Sequence, residues 1–391
     1  MIPGAAKAQR VVSTVDRSRL DCEPMGIRAG AFTINPHLTL CTEYNDNIYA
    51  ARNDTKSGWI ISLSPEVDVQ SNWSRHSLKL NAELDPGQYA SESKENFMDS
   101  HIFMDGRVDM RRESFFRARA GYQHLHEERG SMDVSETWDE PAVYNRTQGK
   151  ISYYHGLNRF SLTAGAAITT LSWQRVALKE GGSQCLNIKD RNLYNINARI
   201  AYELHPDVHP FITTTFDWRH YDKPEAMRDS RGYRIGIGTG FGITGTTSGE
   251  VFGGYMLQDY DDRDKISGAW YGMSLLWNLS RLTSIEARAE SSVIETTRVD
   301  SSGVSAVETK ISIDHELLRN LLIGASMDYR RYSYQGEDIT DNYYTLGPGL
   351  TYLWNRNLSA KAEFNRWIRS SNISDREFTE NRFVISITGS F

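Results

Sequence analysis

The chain has 391 residues, with 44 Lys+Arg against 50 Asp+Glu and a mean hydropathy of -0.53. No run approaches the roughly 18–20 consecutive apolar residues that a transmembrane helix needs, which excludes a helical membrane protein. The net charge of -6 gives no basic surface for nucleic acid. Cys22, Cys41 and Cys185 lie too far apart for a cysteine-ligated metal site, a haem attachment motif or a disulfide framework, so we expect no cofactor and no metal.

The first 31 residues are polar and show no strand pattern. Residues 1–8 resemble the end of a signal peptide, because Ala6 and Ala8 have the spacing of a cleavage site, although no complete signal peptide precedes them. A disordered N-terminus explains the same residues equally well. We expect residues 1–31 to be a signal-peptide remnant, a periplasmic tail or a plug, and residues 32–391 to form one domain.

From there to the end, apolar and polar residues alternate with a period of two. Examples are residues 78–85, 285–290 and 307–314, in which every second side chain is apolar. Such alternation is typical of strands with one apolar and one polar face. Many of the runs exceed the five or six residues usual in globular proteins.

Two kinds of break separate the alternating runs. Eight short polar turns recur about every 40 residues, for example at Arg112-Glu113 and Asn278-Leu279-Ser280, and nine longer loops lie between or beyond them. Seventeen connections predict eighteen strands. A β-propeller blade has a similar repeat length, but it divides the repeat among four short strands and buries both faces of each.

The pattern therefore predicts an all-β fold: a single closed antiparallel transmembrane β-barrel of about eighteen strands. Alternating segments, short turns on one side, longer loops on the other and an even strand number are the signature of outer-membrane barrels. We expect both ends of the barrel domain on the short-turn side. In such barrels the apolar face meets lipid and the polar face meets water.

Aromatic residues of the apolar parity recur at two heights. Some lie about ten residues beyond a short turn, which matches the height of the apolar band and its second aromatic girdle. They are Tyr122, Trp218, Tyr255 and Tyr329. The girdle on the turn side would comprise Phe116, Tyr153, Phe160, Tyr202, Phe241, Trp277 and Tyr352.

The last strand carries a further signal. It places Phe383, Ile385, Ile387 and Phe391 on one face and ends on phenylalanine. This pattern resembles the C-terminal signature that the outer-membrane barrel assembly machinery recognises.

Four segments extend the resemblance to a family. Residues 24–32, 43–50, 72–76 and 314–321 resemble a poorly characterised family of outer-membrane β-barrel porins, common in alphaproteobacteria. The resemblance covers about residues 20–391. It implies an outer-membrane location in a Gram-negative bacterium, and it supplies no catalytic residues.

The polar parity predicts the residues that line the pore. They are Lys79, Glu83, Asp105, Arg107, Asp109, Arg117, Arg119, Arg199, Asp217, Arg219, Arg234, Glu286, Arg288, Glu290, Glu308, Lys310, Asp314, Lys361, Glu363 and Arg382. Acids and bases nearly balance, and we expect neighbouring strands to pair them, with Arg107 and Asp109 facing Arg117 and Arg119. A balanced wall predicts weak ion preference.

The loops offer few functional features. Residues 127–141 and 174–189 are shorter than an infolded constriction loop usually is, so we expect the lumen to lack one. Asp259, Asp261, Asp262 and Asp264 favour a solvated acidic loop over a calcium site. His101, His124, His126 and His220 near the outer rim leave open a barrel hydrolase, although no G-x-S-x-G or HExxH motif occurs.

The sequence thus predicts a non-enzymatic, porin-like transport channel of the outer membrane. The alternatives are a dedicated export barrel for polysaccharide or capsule, working with periplasmic export proteins, and an outer-membrane hydrolase. The expected partners are the lipid bilayer, lipopolysaccharide and the barrel assembly machinery.

Overall fold

The computed structural model describes residues 11–19, 21–243, 245–298 and 300–391. Its large sheet contains one three-residue strand, Ile27–Ala29, and eighteen strands of 12 to 15 residues, which we label β1 to β18. Their bounds are β1 Phe32–Asn45, β2 Gly58–Ser71, β3 Ser77–Tyr89, β4 Phe97–Arg111, β5 Ser114–His126, β6 Val143–Leu157, β7 Phe160–Trp173, β8 Arg191–Tyr202, β9 Val208–Tyr221, β10 Ser230–Ile243, β11 Thr247–Tyr260, β12 Ile266–Asn278, β13 Thr283–Ile294, β14 Val304–Leu318, β15 Leu321–Tyr334, β16 Thr340–Leu353, β17 Leu358–Ser371 and β18 Phe378–Ser390.

The sheet closes into a barrel. Each strand pairs antiparallel with the next, and β18 returns to β1 in a register that runs from His37 opposite Ser390 to Asn45 opposite Arg382. Because the strand number is even, β1 begins and β18 ends on the same side, which is the side of the short turns. The predicted barrel, its strand number and the position of its ends are confirmed.

Nine longer connections lie on the opposite side, which we call the outer side. We name them L1 to L9: residues 46–57, 90–96, 127–142, 174–190, 222–229, 261–265, 295–303, 335–339 and 372–377. L4 contains a small hairpin, Val176–Ala177 with Ser183–Gln184. Short 3-10 turns occupy Ser93–Glu95, Asn187–Lys189, Pro224–Ala226 and Ser374–Arg376.

The period of two gives every strand an apolar outer face and a polar inner face. In the middle of β13, Ala287 lies between Leu275 on one neighbour and Ile311 on the other. One position along, Arg288 lies between Ser274 and Lys310. Around the barrel, the exposed aliphatic side chains occupy the same face as Ala287, as predicted for a lipid-facing surface.

Aromatic rings on the outward face meet across strands at both heights. On the turn side, Phe116 and Tyr153 have ring centroids 4.7 Å apart. On the outer side, Tyr329 and Tyr344 are 5.2 Å apart. In the described residues, no helix is long and apolar enough to cross a membrane.

Candidate functional site

The twenty charged residues predicted to line the pore all have the inner parity of their strands. The register places Arg119 between Asp105 and Lys150, for example, and Lys310 between Arg288 and Asp328. That these residues line a conducting pore stays a prediction.

The predicted pairing of Arg107 and Asp109 with Arg117 and Arg119 is wrong. In the structure Arg107 lies directly opposite Arg117, and Asp109 lies opposite Phe115. The closest ion pair in this region joins residues on one strand, Arg107 to Asp109 at 2.5 Å. A shift of two residues in register separates the expected arrangement from the observed one, and alternation alone cannot fix that shift.

Loop L3 folds into the barrel, contrary to the expectation that the loops are too short to do so. The Asp133 carboxylate accepts hydrogen bonds from the Thr296 hydroxyl at 2.8 Å and the Thr297 backbone N–H at 2.7 Å, both in L7. L3 follows β5 and L7 follows β13, eight strands apart in a barrel of eighteen. The two loops therefore meet across the lumen, and we call this contact the crossbar.

The L7 end of the crossbar is held by a buried charge. Glu295 forms an ion pair with Arg219 of β9 and accepts hydrogen bonds from the hydroxyls of Tyr221 at 2.8 Å and Tyr260 at 3.1 Å. Burial by itself would raise the pKa of Glu295, but Arg219 and the Tyr221 hydroxyl outweigh it and hold the pKa below its ordinary value. The carboxylate therefore stays ionised and keeps L7 turned inward.

The other end of L3 is held by charges and by an apolar cluster. Arg129 donates to the buried Glu95 of L2 at 2.8 Å, and Glu128 lies 3.1 Å from Arg382 of β18. Trp138 packs with three buried residues of L3 and L4. These are Ala142, Val176 and Leu186.

Cavities lie on two sides of L3. One, of about 150 Å³, lies between L3 and the strands β18 and β1 to β4, and it is lined by carboxylates that include Glu43, Asp85 and Glu380. The other, of about 210 Å³, lies between L3 and β15 to β17, and Tyr332 and Trp367 are in its wall. L3 thus leaves separate spaces with different linings.

The N-terminal segment enters the barrel from the turn side. Ser13 and Thr14 are buried against inner-face residues, with the Thr14 N–H donating to Ser284 Oγ at 2.8 Å. Arg19 forms an ion pair of 3.1 Å with Glu316 of β14. Residues 11–19 therefore line the turn-side mouth beside β12 to β14. The predicted segment at residues 1–8 lies outside the described residues.

The acidic loop at residues 259–264 and the histidines near the outer rim are the remaining candidates for a site. In the described part of the chain, no group of three or more His, Cys, Asp or Glu side chains has the geometry to hold a metal. His126 bonds Asp99 at 2.9 Å, and His220 bonds Asp229 at 2.6 Å on the outer rim.

One Ser, His and Asp set does meet inside the barrel. Ser390 Oγ lies 2.8 Å from His37 Nδ1, and His37 Nε2 lies 3.8 Å from Asp68. The second distance is too long for a hydrogen bond. The backbone N–H groups of Ser390 and Phe391 are already bonded to carbonyl groups, so neither can stabilise an oxyanion.

The comparisons with known proteins agree with this architecture. The family model described as "Putative beta-barrel porin 2" matches residues 21–391. The chain belongs to this family. A search of the curated proteins finds no match.

Several solved structures are similar to this member of the porin family. The siderophore receptor PirA from Pseudomonas aeruginosa is 9% identical, covers 94% of this chain and 81% of its own, and has a TM-score of 0.48. OpdL from Pseudomonas aeruginosa is 11% identical, with coverages of 93% and 100% and a TM-score of 0.46. OccK2 from Pseudomonas aeruginosa is 10% identical, with coverages of 92% and 98% and a TM-score of 0.49.

Family membership and the closed barrel together identify an outer-membrane β-barrel channel of a Gram-negative bacterium. Sequence reasoning omitted several inner-face bases of this porin, among them Arg146 and Arg191, as well as the crossbar residues Asp133 and Glu295. Counting charges strand by strand would have found the two arginines. Nothing in the sequence reveals the crossbar, because its partners are 163 residues apart.

Proposed function

We propose that the protein is a passive diffusion channel whose path is narrowed at both ends. L3 and L7 narrow the outer mouth, and residues 11–19 narrow the mouth on the turn side. Small hydrophilic solutes pass beside the crossbar, and larger ones are excluded by size. Eighteen strands belong to the size class whose interior holds an aqueous channel.

The crossbar is the observation that supports this proposal most strongly. Asp133 binds L3 to L7 on the opposite side of the barrel, and the ion pair of Glu295 with Arg219 fixes L7 to the inner face of β9. A loop fixed across a wide lumen reduces its cross-section without filling it. The cavities of about 150 Å³ and 210 Å³ on the sides of L3 fit a narrowed opening.

Two observations support a channel over an outer-membrane hydrolase. In the set formed by Ser390, His37 and Asp68, His37 Nε2 lies 3.8 Å from the Asp68 carboxylate, which is too far for a hydrogen bond. Its two nearest backbone donors are engaged in other bonds. Hydrolysis of an acyl group needs both an oriented base and a donor for the oxyanion.

The proposed assembly signal faces lipid. Phe383 and Ile385 are exposed on the outer surface of β18, and Phe391 ends the chain beside Pro36 of β1. We propose that the barrel assembly machinery recognises this strand. Removing Phe391 should lower the amount of folded barrel in the outer membrane without changing the conductance of each refolded molecule.

Liposome swelling tests the diffusion proposal. Proteoliposomes loaded with an impermeant polymer are placed in isotonic glycerol, arabinose or raffinose, and light scattering reports the entry of each sugar. We expect rapid swelling in glycerol, slower swelling in arabinose and the slowest in raffinose. Folded protein that admits none of them would contradict passive diffusion and favour a dedicated exporter.

A further inference from the structure

Bases and acids both occur on the inner face of the barrel, but they are unevenly distributed among the strands. The four consecutive strands β5 to β8 contain no Asp or Glu at any position. Their inner faces carry six bases, and each base has the inner parity of its strand. These are Arg117, Arg119, Arg146, Lys150, Arg191 and Arg199.

The register arranges these six bases as a ladder. A row consists of the residues that are paired with one another across β5 to β8. Three successive inward-facing rows contain Arg199, then Arg117, and then Arg119 together with Lys150. After one neutral row, Arg146 and Arg191 share the next. Successive rows are two residues apart, so the five rows extend about 27 Å along the strands.

The neighbouring wall has the opposite charge. The inner faces of β1 to β3 carry five carboxylates, and Lys79 is their only Lys or Arg. Those carboxylates are Glu43, Glu66, Asp68, Glu83 and Asp85. β4, with both signs, separates the two walls.

Like charges face each other on both walls. Arg119 lies directly opposite Lys150, Arg117 lies opposite Arg107, and on the acidic wall Glu66 lies opposite Glu83. Like charges directly opposite on neighbouring strands are destabilising. An arrangement chosen for stability alone would have alternated the signs.

Aromatic rings lie against several of the ladder arginines, and carboxylates of neighbouring strands approach two of them: Arg199 pairs with Glu250 at 2.8 Å, and Arg119 lies 3.9 Å from Asp105. Arg119 lies 4.4 Å from the centre of the Phe103 ring, and Arg191 lies 5.1 Å from that of Trp173. A ring face orients a guanidinium and leaves its charge intact. Among the described residues, no carboxylate forms an ion pair with Lys150 or Arg146, and the buried Nε of Arg146 has no hydrogen-bond partner.

We propose that β5 to β8 form an anion path, in which small carboxylate and phosphate anions pass from row to row along the ladder. The proposal rests on the diffusion channel proposed above and specifies its substrate class. Guanidinium groups bind carboxylate and phosphate oxygens through paired hydrogen bonds. The first three charged rows are about 7 Å apart and the fourth lies about 14 Å further on, beyond the neutral row, so that each row can attract an anion as the previous one releases it.

Reversal potentials in planar bilayers test the ladder. We compare the wild type with a double variant, Arg119→Gln with Lys150→Gln, under gradients of potassium acetate and, separately, potassium phosphate. The wild type should favour the anion, and the anion-to-cation permeability ratio should fall about twofold to threefold for each charge removed. Removing two facing like charges should leave the fold at least as stable.

Lys265→Gln is the control, because it removes one exposed positive charge from L6, outside the lumen. Its permeability ratios should equal those of the wild type. A fall for acetate alone, or for phosphate alone, would assign the path to that anion. A conducting wild type without anion preference, or a double variant with unchanged ratios, would overturn the ladder. A wild type that never conducts would instead overturn the diffusion channel.

Discussion

Breaking the crossbar should open the outer mouth, and Asp133→Ala breaks it most directly. Asp133 accepts two hydrogen bonds from L7, of 2.8 Å and 2.7 Å, and both are made to an ionised carboxylate. A hydrogen bond to a charged group contributes about 1.5–3 kcal/mol. Loss of both therefore costs at least about 3 kcal/mol, which raises the ratio of undocked to docked L3 about a hundredfold.

Single-channel recording measures this change. The wild type should stay near one conductance level, and Asp133→Ala should show frequent transitions to a higher level with greater noise. Asp139→Ala is the matched control: it removes a carboxylate from the same loop, but one that pairs with Lys94 on the outer surface. If Asp133→Ala and Asp139→Ala show the same conductance levels and the same frequency of transitions, L3 does not narrow the channel through its contact with L7.

Three further predictions follow from the lipid face, the turn-side mouth and the buried charge. Ala287→Arg should lower the free energy of unfolding in lipid by about 2–4 kcal/mol, whereas Ser312→Arg on the inner face should cost little; equal losses would contradict the assigned faces. Deleting residues 1–26 should raise single-channel conductance, and an unchanged conductance would show that residues 11–19 do not narrow the mouth. The Glu295 pKa lies below its ordinary 4.5, so its stabilising pairing with Arg219 is complete above pH 4.5 and is lost as the pH falls through the lowered pKa. High-conductance events should therefore appear on acidification in the wild type, and Glu295→Gln should already show them at neutral pH; a Glu295→Gln channel that matches the wild type at both pH values would contradict this role.

The barrel was predictable because its physics is local. A strand between lipid and water must alternate, so residues such as Ala287 and Arg288 reveal their faces without knowledge of their neighbours. Turns and loops follow from where the alternation stops, and the strand number follows from counting them. The number of strands then places both ends of the barrel on one side.

The site was less predictable because it depends on pairs that are distant in sequence. Asp133 and Thr296 meet only after the barrel closes, and alternation gives no information about which loops turn inward. The ladder is an intermediate case. The absence of acids from β5 to β8 can be read directly, but the row shared by Arg119 and Lys150 requires the register. A charge count over the whole wall averages the two signs and conceals their separation.

Water and ions should cross the membrane through this barrel. The experiment is to record the current through purified, folded protein in a planar bilayer with potassium chloride. Discrete, ohmic conductance steps are expected, and they should increase in size when Asp133 is replaced by alanine. Folded barrels that remain electrically silent, with and without the crossbar, would contradict it.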